Sequence, residues 1–114
     1  MLNFEMAETN VERHKRVCYE LNMIYEKKNR DYGDSFATSY KDYGLVMAAI
    51  RIGDKYNRLH NLTSRNVAVQ LVQDESIRDT LLDLANYAIM TVMEMDAEGN
   101  KPIGMPTLAK EEQR

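Results

Sequence analysis

What the sequence has little of narrows what the chain can be. A single cysteine, Cys18, stands among 114 residues, so no disulfide can close within the chain and a reducing, cytoplasmic setting is expected. Apolar runs are short of the ~18–20 residues that cross a bilayer; the stretch Leu45 to Ile50 stops at Arg51. Met1 to Glu12 holds three acids and no base, so it is not expected to be a signal peptide. No membrane partner is therefore expected. Positive charge is not in excess: 15 Lys+Arg against 18 Asp+Glu leave a net charge of -3. That excludes a nucleic-acid coat, which needs many cations to displace counterions from phosphates. Internal repeats, low-complexity tracts, a G-x-G-x-x-G turn and a P-loop are all missing. His14 and His60 have no cysteine or carboxylate at zinc spacing.

What remains is 44% hydrophobic, enough for one folded core and, at this length, only one. Thr9-Asn10-Val11-Glu12 is a capping-box pattern. Behind it Val17, Cys18, Leu21, Ile24, Tyr25 and Tyr32 recur at helical spacing. Cys18 on this stripe reads as a core residue. Gly33-Asp34-Ser35 ends the helix. A second helix is expected from about Tyr40 to Asn61, with Leu45, Ala49, Ile52, Tyr56 and Leu59 on its stripe; Gly44 and Gly53 mark a kink or a close helix contact. Thr63 to Asp74 reads as a loop with a short strand, from the alternation of Val67, Val69 and Leu71, and residues 62–73 stay open. A third helix, capped by Asp74 or Ser76, carries Ile77, Leu81, Leu84, Ala88, Val92 and Met95 and stops at Gly99. Around Ser35 to Asp42 a short fourth fits. The fold class is all-α, a small bundle of three to four helices. Residues 1–100 make one domain, and 101–114, with Pro102 and Pro106, make a loosely held tail. The third helix is apolar on most sides, so completion by homo-oligomerisation is expected.

The charges sort onto helix faces. At ~100° per residue, Glu75, Asp79 and Asn86 share a sector with Leu82, Met90 and Met93, with Asp83 to its side. Acids on an apolar sector are expected to be covered, and like charges four apart call for a cation or a base between them. The second helix carries Arg51, Asp54, Lys55 and Arg58 as one stripe: two guanidiniums and an ammonium for phosphate, one carboxylate for a metal shell. Lys27 to Phe36 runs a basic cluster, with Lys28 and Arg30, into a tyrosine–glycine turn, where Tyr32 or Phe36 could stack a base. Each stripe is also what a solvated, salt-bridged surface looks like.

Three segments in order, YEKKNRDYGDSF (Tyr25–Phe36), RIGDKYNRL (Arg51–Leu59) and ESIRDTLLDLANYA (Glu75–Ala88), resemble the small nucleotide-modification-associated domain family of bacteriophages and prophages. The resemblance spans about Tyr25 to Met95. More distantly the chain is similar to the MazG-type all-α nucleoside-triphosphate pyrophosphohydrolases, which hold Mg²⁺ on an E-E-x-x-E motif and a later acid pair. The resemblance implies a nucleotide-handling protein. In its hydrolytic version Mg²⁺ is the cofactor, Asp54, Glu75 and Asp79 hold it, and Asp79 or Asp83 orients the attacking water. Lys28, Arg30, Tyr32, Arg51, Lys55, Arg58 and Asn86 bind the nucleotide. Asp54 has Arg51, Lys55 and Arg58 as neighbours where that motif has glutamates. This departure leaves an alternative of another class, a non-catalytic binder that sequesters a nucleotide immune signal. A third is a helical interaction module whose charged stripes pair with each other.

Overall fold

Thr9 starts the first helix as the capping box requires: its hydroxyl accepts the Glu12 N–H at 3.1 Å while its own N–H donates to Glu12 Oε1 at 2.9 Å. The computed structural model describes residues 7–64 and 70–99, which form four α-helices and no strand. They are α1 (Asn10–Tyr32), α2 (Ser35–Tyr43), α3 (Leu45–Thr63) and α4 (Gln70–Ala97). The tail, 101–114, lies outside the described residues.

Two glycines set the corners. Gly33 closes α1 at φ 74°, ψ -169°, its N–H donating to the Asn29 carbonyl at 2.8 Å. Gly44 sits at φ 73°, ψ -159°, its N–H donating to the Tyr40 carbonyl at 2.7 Å. This backbone region is open to glycine and almost closed to residues with a Cβ. The expected single helix from Tyr40 to Asn61 is therefore two: Tyr40 belongs to α2, and α3 begins after Gly44. Gly53 lies inside the continuous helix α3 and makes no close contact, since a Cβ there would meet nothing within 4 Å. At the other boundary α4 begins at Gln70, so Leu71 is helical, not in a strand, and Asp74 and Ser76 lie inside the helix rather than capping it. Val67 and Val69 lie outside the described residues.

Antiparallel packing of α3 on α4 dominates the fold. Lys55 reaches Asp83 and Arg58 reaches Thr80, so rising numbers on α3 meet falling numbers on α4. Phe36, Tyr40, Met47 and Ala48 form the core with Tyr87 and Met90 against them. The Tyr40 hydroxyl donates to Glu98 Oε1 at 3.4 Å, and burial together with that carboxylate pushes the phenol above its ordinary range. α1 is held more narrowly. Leu21 is its one buried residue, and Arg78 makes a forked pair with Glu20 at 2.9 and 2.6 Å. Cys18 is consequently exposed rather than core, its Sγ 3.7 Å from His14 Nδ1.

Two outcomes follow. Gly44→Ala should cost about 1–3 kcal/mol in chemical denaturation, because alanine must adopt the corner's backbone, whereas Gly53→Ala should stabilise by up to ~1 kcal/mol. Hydrogen bonds from Arg78 hold the Glu20 carboxyl below its ordinary range. A lowered carboxylate contributes stability above its unfolded value of ~4.3, lost as pH falls through the folded one. An NMR titration should show Glu20 protonating late on acidification, and Arg78→Ala should return it to the ordinary range.

Candidate functional site

The corner at Gly33 faces the α3–α4 pair across a cavity of about 330 Å³. One wall is cationic. Lys28 comes from the last turns of α1, and Arg51 and Lys55, one turn apart, come from α3. Asp83 of α4 stands between the lysines, with Oδ1 3.5 Å from Lys28 Nζ and Oδ2 3.3 Å from Lys55 Nζ. Arg51 has no ion-pair partner among the described residues, so its guanidinium is the uncommitted charge of this wall. Aromatic side chains share the lining: Tyr25 and Tyr32 from α1, Phe36 from α2 and Tyr87 from α4. Asn29, Asp34 and Asn86 add polar edges.

Phe36 is committed to the core, its ring 5.9 Å from Tyr87 and 6.4 Å from Tyr40. Tyr32, by contrast, is 75% exposed at the rim, which leaves its face open to a planar ligand. Asn86 is buried, and its Nδ2 donates to the Leu21 carbonyl at 3.1 Å. It thus joins α1 to α4 as well as lining the cavity.

Lys28, Tyr32, Arg51, Lys55, Asp83 and Asn86 are brought together here, and six of the residues singled out by sequence share one cavity. Arg30 points away. Arg58 continues the Arg51–Lys55 stripe but overshoots: its Nε donates at 3.1 Å to Thr80 Oγ1, and that buried hydroxyl donates to the Ser76 carbonyl at 2.7 Å. Asp54, Glu75 and Asp79 are exposed and do not line the cavity. The expectation that Glu75 and Asp79 are covered fails among the described residues: at their level α1 reaches α4 only through the forked Glu20–Arg78 pair, and its buried contact lies at Asn86, two turns beyond Asp79. Among the described residues no three His, Cys, Asp or Glu side chains gather as a metal site would require. The donor set as placed does not fit Mg²⁺ held by the protein alone.

Tyr25, Asn29, Asp34 and Tyr87 were missed as site residues. Tyr25 reads from sequence as a member of an apolar stripe, and Gly33-Asp34-Ser35 as a helix stop and as the turn of the basic cluster whose Tyr32 or Phe36 could stack a base. Nothing local says that the turn faces α3.

Residues 28–95 match the family model described as nucleotide modification associated domain 1, and the chain belongs to that family. The matched span includes nearly the whole cavity. No curated protein and no solved structure matches the chain. No helix among the described residues is long and apolar enough to cross a membrane.

Replacing Asn86 by leucine removes the donor to Leu21 and buries nothing equivalent, so the loss of that hydrogen bond should cost about 1–3 kcal/mol in thermal or urea unfolding.

Proposed function

We propose that the chain binds a phosphate-bearing nucleotide in the cavity between α1, α2 and the α3–α4 pair. The observation that carries this reading is one space lined both by the cations Lys28, Arg51 and Lys55 and by aromatic rings, with Tyr32 largely exposed. A nucleotide has that division of chemistry: a planar base that stacks on an aromatic face and a phosphate that takes charge-assisted hydrogen bonds. Arg51 offers a fork geometry matched to phosphate oxygens, and Lys28 and Lys55 add two point charges. The volume lies at the lower end of the ~300–1,000 Å³ usual for small-molecule sites, which suits one nucleotide better than two.

Asp83 gives the site its selectivity in this reading. Its carboxylate already sits between the two lysines, so an incoming phosphate competes with it for both. Asp83 is in this arrangement an internal anion, each of its oxygens directed to a lysine. Binding without bond cleavage is the reading the arrangement favours, consistent with a protein that sequesters a nucleotide signal, as the bacteriophage resemblance suggests. The hydrolytic version needs Asp54, Glu75 and Asp79 to meet around Mg²⁺, and among the described residues they do not gather as one group.

Calorimetry against nucleoside mono-, di- and triphosphates, with and without Mg²⁺, tests this directly. Binding is expected without Mg²⁺. Arg51→Ala or Lys55→Ala should weaken it about tenfold or more, on the scale of ~1.5–3 kcal/mol for a charged hydrogen bond. Asp83→Asn should strengthen it. Ligand recovered unchanged after denaturing the protein supports sequestration, and a monophosphate with pyrophosphate supports Mg²⁺-assisted hydrolysis. If no nucleotide binds or raises the melting temperature, the chain is a helical interaction module instead.

A further inference from the structure

α4 has three sides, and the described chain uses two. Asp83 and Asn86 face α1 and the cavity, and Thr80 and Tyr87 face α3 and the core. At ~100° per residue, the third side holds Ile77, Leu81, Leu84, Ala88 and Val92. On α3, the edge turned away from Arg51 and Asp54 holds Leu45, Ala49, Ile52, Tyr56 and Leu59. Antiparallel packing puts these two edges on the same side of the helix pair, opposite the cavity. Neither edge carries a charge, although 29% of the chain is Asp, Glu, Lys or Arg. Leu45, Tyr56, Leu81 and Val92 are 53, 57, 45 and 52% exposed.

We infer that this face is where a second copy of the chain docks, α3 and α4 of each copy joining in a four-helix bundle about a two-fold axis. The spacing supports it. Leu45, Ala49, Ile52, Tyr56 and Leu59 step by four, three, four and three, and Ile77, Leu81, Leu84 and Ala88 by four, three and four. These are the steps of a bundle seam. Within one chain only one flank of each seam is filled, so half of a bundle core faces water. Charge argues for self-pairing: a two-fold contact sets residues at the axis beside their own copies and pairs the others reciprocally within the same patch, which an uncharged face does without like-charge repulsion. Arg78 and Asp96 at its margin would form a polar rim. The size fits as well. Stripes ~21 and ~22 Å long on helices ~9 Å apart project a footprint on the order of 400 Å². Side-chain relief raises that toward the ~800 Å² that each partner buries in a stable dimer.

Light scattering on the eluting full chain should give twice its 13.2 kDa. Leu81→Glu with Val92→Glu should halve that mass, while Met23→Glu, on the exposed side of α1, should leave it unchanged. If the double variant fails to fold, the wild-type chain still decides: the melting temperature of a dimer rises with protein concentration. A monomeric mass with a concentration-independent melting temperature overturns the inference. So does a dimer that survives both glutamates, which would place the contact on another surface.

Discussion

The antiparallel contact between α3 and α4 is the constraint on which the other features depend. It places Arg51 and Lys55 opposite Asp83 and Tyr87, and thereby makes one wall of the cavity from two helices far apart in sequence. It also supplies Met47, Ala48, Tyr87 and Met90, against which α2 lays Phe36 and Tyr40. α1 then needs only to cover the open end. It does so with Leu21 over Asn86 and with side-chain bridges from Glu20 and Lys28. A narrow seat of this kind explains why α1 leaves Val11, Tyr19 and Met23 in water. It also means that five of the cavity's residues, Tyr25, Lys28 and Tyr32 among them, ride on the least firmly packed helix.

How much of this could be read from sequence follows from what periodicity measures. It fixes a residue's angle around its own helix, so the Arg51–Lys55 stripe and the Lys28–Tyr32 cluster were legible, as were the capping box at Thr9 and the stop at Gly99. It does not fix how far along the axis a neighbour crosses. Arg58 shares the stripe's angle but lies a turn beyond the cavity, where it meets Thr80. Glu75 and Asp79 share a sector with Asn86, yet α1's buried contact is at Asn86, and beside Asp79 it reaches α4 only through the exposed Glu20–Arg78 pair. Gly44 illustrates a second limit. A weak helix former inside an apolar pattern costs about as much as a kink or a corner does, so spacing alone cannot choose between them. The positive φ chooses the corner.

Cys18 shows the same gap from the other direction. Its place on an apolar stripe is correct, but the stripe is wider than the contact it serves. An apolar stripe predicts a face that can be buried and not the partner that buries it. α3 and α4 carry such unfilled edges too, and there the heptad steps and the lack of charge say more about the missing partner than α1's scattered residues do.

A slightly acidic chain can still hold an anion because net charge is a sum over separate surfaces. Glu8, Glu12 and Glu20 serve α1's cap and its clamps to Arg16 and Arg78, and Asp31 is taken by Lys27. With those acids engaged elsewhere, the cavity keeps three cations against the carboxylates of Asp83 and Asp34. Asp83 then has a double effect. It holds Lys28 and Lys55 in position and lowers the cost of keeping two ammoniums together, and it must be displaced before either can serve a ligand. A weak or singly charged anion gains little by that exchange, whereas a phosphate that also engages Arg51 gains a contact Asp83 does not make. The proposed selectivity for phosphate thus arises from competition within the site, and the same competition keeps the site from being a general sink for anions.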